Sequence, residues 1–399
     1  MLTGNSNLIR QINQMAVLKL LQSQGPISRS AITRASGLSP STVSSVVADL
    51  IKAGLVREIG EGQSHGGRRA VLLEIHKTGG LIIGVDLGGT KIAAGLVDLT
   101  AEIRHRICVP TPTNPDEILR RVLEVIAELA ASPLAKEHGV RGIGIASPGL
   151  VSDDGVVVKA GNLNWSNVPL RERVTAAFGL PTVIENDTNA AALAEMYYGA
   201  AIGAENLIYI SVGTGVGAGI ITNGLLHRGA RGGAGEIGHM RMERDGLPCS
   251  CGRRGCLETL AGGRAIARRA AELLPQFPDS QLAEIQRATG HLTAKDVAEA
   301  ADHDPLAAKV MSDAATYLGW AIGNLVNTFN PEVVVLGGGV ICSGSFFVDQ
   351  VEREARAVTL LSHEKELKLL ASPLGETSGI IGAASLVVQN LFAPVVQTR

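Results

Sequence analysis

Apolar positions between residues 7 and 24 recur at helical spacing. Leu8, Ile12, Met15, Val17, Leu18 and Leu21 fall on or near one face, and Gly25-Pro26 ends the run. A short second helix is predicted over 29–36, with Ser28 as its cap. A turn at Gly37-Leu38-Ser39 leads into a third helix that Ser39 caps and Pro40 opens, the position proline favours. Its apolar face carries Val43, Val46, Val47, Leu50 and Ile51; Ser41, Thr42, Ser44, Ser45 and Lys52 lie opposite. Two strands follow, 55–59 and 68–75, joined by a loop from Gly60 to Gly67.

Three helices with a glycine turn, then a hairpin, are the parts of a winged helix-turn-helix. In such a module Ser39, Ser41, Thr42, Ser44 and Ser45 would meet base edges in the major groove. His65, Arg68 and Arg69 at the wing tip would meet phosphates or the minor groove. The same pattern also describes a small helical interaction domain that binds no DNA. Charge favours the first reading. The whole chain has a net charge of −2, but residues 1–78 hold nine Lys/Arg against four acids, a difference of +5. The linker is short, around 76–80.

Beyond it the pattern becomes apolar strands that end in glycine turns. Residues 81–85 run into Asp86-Leu87-Gly88-Gly89-Thr90-Lys91 and then a second strand. A strand follows the glycines where a Walker loop or Rossmann turn would have a helix, so neither is present. A glycine hairpin can present backbone N–H groups to phosphates, Lys91 can add a contact and Asp86 can hold Mg²⁺ through water. An ordinary tight turn is the other reading. Strand 207–212 enters a second glycine turn, 213–219, and the strand VVVL enters a third, Gly337-Gly338-Gly339. Gly213, Thr214, Gly215 and Gly338 thereby join Asp86, Gly88, Gly89, Thr90 and Lys91 as candidate nucleotide contacts. Two hairpins, one per lobe, fit an actin-like fold with ATP between two lobes.

Five cysteines occur in 399 residues, three of them between 249 and 256. A disulfide framework is not spaced like this, and the N-terminus lacks the basic-then-apolar order of a signal peptide. No run of 18 apolar residues is present, so no membrane partner is expected and the protein reads as cytoplasmic with reduced thiols. His239, Cys249, Cys251 and Cys256 give H-x9-C-x-C-x4-C, a donor set suited to tetrahedral Zn²⁺, closed and therefore structural. Unliganded cysteines are the alternative. Cys108 and Cys342 read as buried thiols.

Asp187 stands where a strand (183–186) meets an alanine-rich helix, placed either as a general base toward a substrate hydroxyl or as a helix cap. Asn162, Asn186, Glu236, His239 and Glu258 supply the carboxylates and amides that a polyhydroxyl ligand needs. The metal loop would hold Glu236 and Glu258 in position.

These residues sit in DLGGTK (86–91), ASPG (146–149), GNLNW (161–165), ENDTNAAALAE (185–195), GTGVGAG (213–219), GEIGH (235–239) and CSCGRRGCLE (249–258). Together they closely resemble the ROK family of repressors and sugar kinases over most of 80–390. The resemblance implies an α/β, actin-like (ribonuclease H-like) two-lobed ATPase fold behind the winged helix-turn-helix. It implies Asp187 as catalytic base, with Asn162, Asn186, Glu236, His239 and Glu258 on the sugar. The N-terminal extension is similar to that of the xylose, glucose and N-acetylglucosamine repressors. Many repressors of the family have lost DLGGTK, whereas here it is intact.

The expected organisation is a DNA-binding domain over 1–78, a first lobe over 79–186 with 373–399, and a second lobe over 187–372 that carries the metal loop and an oligomerisation surface. The leading expectation is a repressor whose operator affinity answers to a sugar, assembled as a homodimer or homotetramer. A hexose or N-acetylhexosamine kinase using ATP and Mg²⁺, and a docking protein that senses a partner, are the competing readings.

Overall fold

The computed structural model describes residues 6–61, 70–343 and 345–392. It divides into two compact units, Met1–Ala190 with Gly379–Arg399, and Ala191–Ser378.

The first unit begins with helices Ser6–Gln24, Arg29–Ser36 and Pro40–Lys52. Ser28 accepts the Ala31 N–H and Ser39 accepts the Thr42 N–H, so both predicted caps form, each contributing about 1 kcal/mol. Gly37 ends the second helix in the left-handed conformation, at φ +69°. Val43, Val46, Val47 and Leu50 are buried, whereas Ile51 and Thr42 are half-buried. The hairpin strands are Val56–Glu61 and Val71–Ile75. Gly60 and Glu61, expected in the loop, extend the first strand. A strand of two residues, Ile27–Ser28, pairs with Leu72 and Leu73 and completes a three-stranded sheet. It is too short to leave any periodicity in the sequence.

The main sheet of this unit runs in the order Ile103–Pro110, Lys91–Val97, Leu81–Leu87, Val140–Ser147, Thr182–Asn186. The first three strands are antiparallel and the last two continue parallel. Side-chain alternation divides the strand Leu81–Leu87 between two cores. Leu81, Ile83, Val85 and Leu87 pack with helix Pro115–Ala131, and Ile82 faces the other way. On that second face Gly84, Gly142 and Gly144 form a trough. A Cβ at any of them would overlap Ile380, Pro181 or Ala383, so the terminal helix Ser378–Phe392 lies close on the strands. One apolar cluster joins Val56, Leu73 and Ile75 of the N-terminal module to Ile82, Ala93 and Val97 of the sheet and Ile380, Ala384 and Val387 of the terminal helix.

The second unit repeats the plan, in the order Leu225–Leu226, Val216–Thr222, Leu207–Val212, Val333–Gly337, Leu369–Ala371, with the same antiparallel and parallel pairings. Its core rests on helix Pro305–Phe329. Gly319 and Gly323 on that helix admit Glu354, Ala355 and Val358 of helix Ser345–Val358. Two units each built on this five-stranded plan make the actin-like, ribonuclease H-like fold.

Asp304 secures the long helix. Its carboxylate accepts from Leu306 and Ala307 N–H (both 2.9 Å), and from Gln281 N–H and the Ser280 hydroxyl (both 2.7 Å). Burial opposes ionisation and is the largest single influence, yet these hydrogen bonds together hold its pKa below the usual aspartate value. Asp304→Ala is expected to lose about 2–3 kcal/mol and lower the melting temperature by roughly 5 °C or more. Because the folded-state pKa is depressed, this stabilisation is present above the unfolded pKa and is lost as pH falls below about 4. Thermal melts against pH should therefore show a shallower acid limb for Asp304→Asn than for the wild type.

Candidate functional site

In the first unit the glycine hairpin closes where the sequence predicts it. Gly88 N–H donates to the Lys91 carbonyl at 2.9 Å, and the Thr111 hydroxyl donates to the Gly88 carbonyl at 2.7 Å. Thr90 and Gly89 are exposed at its tip. Gly89 lies against Asn162, whose Cβ would sit 3.2 Å from an added methyl, so the DLGGTK and GNLNW segments are neighbours. Asp86 lies against Gly379, in the first turn of the terminal helix, where a Cβ would overlap its carboxylate.

At the strand–helix junction the capping role considered for Asp187 falls to its neighbour. Asn186 is the cap: its Oδ1 accepts from Thr188 N–H at 2.9 Å and Asn189 N–H at 3.1 Å, and its Nδ2 donates to the Gly149 carbonyl at 3.0 Å. Asp187 stands in the first helical turn, half-buried, and shares the Thr188 N–H at 2.7 Å. Buried Glu185 accepts from Asn186 N–H and Asn189 Nδ2 and so braces the junction from behind.

In the second unit the predicted turn 213–219 is shorter than expected. The strand resumes at Val216, and only 213–215 turn, because Gly217 and Gly219 pair with Ser211 and Tyr209. The carbonyls of Gly213 and Thr214 accept from Gly263 and Arg264 N–H, at the start of helix Gly263–Leu273. Gly338, at φ +95°, packs on the Val212 backbone, so the second and third glycine turns leave neighbouring strands side by side. A Cβ on Gly215 would overlap the Glu258 carboxylate, which places that predicted sugar contact against the predicted phosphate turn.

The four predicted metal ligands converge. Donor atoms of His239, Cys249, Cys251 and Cys256 all lie within 4.8 Å of one another. Cys251 and Cys256 sulfurs are 3.7 Å apart, and Cys249 Sγ is 3.6 Å from His239 Nδ1. Tetrahedral Zn²⁺ with bonds of about 2.3 Å separates two sulfurs by about 3.8 Å, so the donor set fits such an ion. Burial first, and then Cys251 and Cys249, push the Cys256 thiol up to about 12, a cost that a bound cation offsets. The other ring nitrogen of His239 lies 4.0 Å from Glu236. Ser250, between two ligands, donates to Glu258 at 3.5 Å. The loop is tied to helix Pro305–Phe329 by the Tyr317 hydroxyl, which donates to Glu243 at 2.6 Å; that bond raises the phenol to about 12. Glu236, His239 and Glu258 are thus gathered around the cluster.

In the N-terminal module Ser39 is engaged with Ser41 (2.9 Å) and Thr42 (2.8 Å), while Ser41, Ser44 and Ser45 are exposed. Arg10, Arg29 and Arg57 pair with Asp49, Glu58 and Glu74. Much of the local positive charge is therefore spent internally, and Arg34, Lys52 and Lys77 are exposed. His65, Arg68 and Arg69 lie outside the described residues. Two further expectations fail. Cys108 and Cys342 are exposed, Cys108 because it occupies the solvent side of an edge strand. Sequence reasoning also passed over Glu195, fully buried between the Ser372 hydroxyl and Ala200 N–H, where burial pushes its pKa up against both bonds. A carboxylate in an alanine-rich helix carries no pattern that marks it.

Among the described residues no helix is long and apolar enough to cross a membrane. Two family models match the chain: the ROK family over residues 82–390, and a winged helix-turn-helix DNA-binding model over 10–57. A putative xylose repressor from Caldicellulosiruptor sp. (strain Rt8B.4) is 35% identical, covering 98% of each chain. Among solved structures, a ROK family transcriptional regulator described as a homologue of the E. coli MLC protein superposes with TM-score 0.84 at 33% identity, over 96% of this chain and 97% of that one. A ROK family glucokinase from Streptomyces griseus, in complex with glucose and AMPPNP, gives 0.70 at 36% identity, over 78% of this chain and 100% of its own. The chain belongs to the ROK family, with a winged helix-turn-helix ahead of the family domain.

Proposed function

We propose that the protein is a sugar-responsive transcriptional repressor of carbohydrate-metabolism genes, cytoplasmic and assembled as a homodimer or homotetramer. Residues 1–78 bind operator DNA through Ser39, Ser41, Thr42, Ser44 and Ser45, with Arg68 and Arg69 on phosphates. Residues 79–186 with 373–399, and 187–372, form the sensing lobes. Asn162, Asn186, Asp187, Glu236, His239 and Glu258 bind the carbohydrate. Structural Zn²⁺ on His239, Cys249, Cys251 and Cys256 holds the second group of these in place.

The observation that carries this reading is the gathering of Glu236, His239 and Glu258 around the four-donor cluster, in a chain whose N-terminal module presents the Ser39-capped helix Pro40–Lys52. The similarity to a xylose repressor over 98% of both chains supports it. A carbohydrate alters operator affinity only if it binds one conformation of the protein better than another.

Fluorescence anisotropy with promoter DNA from upstream of the chain's own reading frame tests the proposal. Binding should weaken or strengthen at least about fivefold with one of D-xylose, D-glucose or N-acetyl-D-glucosamine. It should also fall steeply with salt as phosphate contacts release counterions. Indifference to all three sugars would sink the reading.

A second reading has an observation of its own. Asn186 performs the capping, which leaves the Asp187 carboxylate without that role, and the DLGGTK hairpin is closed; both support an ATP-dependent hexose or N-acetylhexosamine kinase as the alternative. ATP and Mg²⁺ would use Asp86, Gly88, Gly89, Thr90, Lys91, Gly213, Thr214, Gly215 and Gly338, with Asp187 as the base. Similarity to a glucokinase solved with glucose and AMPPNP supports that alternative.

A further inference from the structure

We propose that Arg141 is a positioning residue that locks the DNA-reading head onto the first unit's sheet, so that carbohydrate-driven movement reaches the head instead of being absorbed at 76–80. The proposal rests on the regulatory reading above. The guanidinium, held on the sheet, binds backbone of both the head and the connection. Its Nε donates to the Gly79 carbonyl at 2.6 Å, and its Nη2 donates to the Ala53 carbonyl at 2.9 Å and also to Gly79. Ala53 ends the reading helix Pro40–Lys52 as its C-cap.

Three glycines make the socket. Gly54 (φ +71°) leaves space beside Nη2, and a Cβ on Gly80 (φ +139°) would overlap the arginine stem. A Cβ on Gly79 would overlap the Gly54 carbonyl, so the two backbone turns touch. Gly79 N–H also donates to His76, and His76 N–H to Leu55. A connection that composition presents as a glycine linker is therefore a packed joint. Burial lowers the pKa of Arg141, but a guanidinium stays charged, and its flat fork suits two carbonyls.

Arg141 also stands at one end of a rigid path. Strand Val140–Ser147 is paired on both sides, with Leu81–Leu87 and Thr182–Asn186. Past its far end, Gly149 accepts from Asn186, next to Asp187. The path spans about 25 Å of extended chain. The head and the sheet share one apolar cluster beside it.

Arg141→Met keeps the stem and removes the fork. The operator affinity with and without D-xylose, D-glucose or N-acetyl-D-glucosamine gives a response ratio. We expect that ratio to fall about tenfold toward unity in the variant, with the carbohydrate Kd within about twofold of wild type. Trypsin cleavage after exposed Lys77 should accelerate about tenfold as the joint opens. Arg141→Lys, which retains one donor head, should fall between the two, and it carries the test if the methionine variant does not fold. A full response ratio or unchanged cleavage in a folded variant overturns the clamp. A wild-type protein that ignores every sugar overturns the regulatory reading and the coupling role, while the cleavage rate still decides whether Arg141 holds the joint.

Discussion

Cys256→Ser is expected to reduce bound metal from one ion per chain to less than about a tenth, and to weaken carbohydrate binding by about 10- to 100-fold. Cys256 is the most buried member of the cluster, 1% exposed, and its backbone bridges to Arg241 across the loop. Serine leaves three donors and a buried hydroxyl where a thiolate closed the site. Gly246, Gly252 and Gly255 separate the ligands, so a metal would add to the backbone bridges Arg241–Cys256 and Pro248–Arg254 in fixing the loop. Glu236 and Glu258 then lose the support that orients them through His239 and Ser250. Elemental analysis paired with calorimetric titration of the sugar checks both parts. Wild-type affinity in metal-free protein would contradict the assigned support. Tyr317→Phe removes a tie from outside the cluster and should keep the metal.

Asp187→Asn is expected to lower any phosphotransfer to the sugar by about 10²- to 10⁴-fold while leaving operator binding intact. The carboxylate sits beside the Asn186 cap in the first helical turn, and asparagine preserves its shape and its bond with Thr188. The fold therefore has no reason to change, and only proton acceptance is lost. A coupled ADP-release assay measures the first quantity and anisotropy the second. If the protein serves only as a sensor, the same substitution removes a charged hydrogen bond to the sugar, worth about 1.5–3 kcal/mol, or roughly 10- to 100-fold in carbohydrate Kd. Loss of operator binding together with turnover would show that the two roles are not separable.

The features legible in the sequence were those whose physics is local. Ser28, Ser39 and Pro40 announced helix starts because capping depends on two or three neighbouring residues. The H-x9-C-x-C-x4-C spacing announced a four-donor cluster because few other uses bring three cysteines so close. Features set by distant chain were not legible. The strand Ile27–Ser28 exists only because Leu72 and Leu73 pass beside it. The turn after Val212 shortened to 213–215 because Gly217 and Gly219 let the sheet continue through a stretch that composition marked as loop. Cys108 was read as buried from residue type alone, yet its strand lies at a sheet edge. Arg141 gave no signal, since its partners are carbonyls 62 and 88 positions away. That Asn186, and not Asp187, caps the helix required side-chain geometry that adjacent positions cannot supply.

The terminal helix Ser378–Phe392 has a consequence for how the protein is made. Its Ile380, Ala384 and Val387 sit in the same apolar cluster as Leu73 and Ile75 of the head, although some three hundred residues separate them in the chain. On a ribosome, the DNA-reading module emerges before that helix, and its inner face lacks part of its cover until the helix settles into the trough of Gly84, Gly142 and Gly144. A polypeptide that stops short of Ser378 would thus leave part of that face bare to chaperones and proteases.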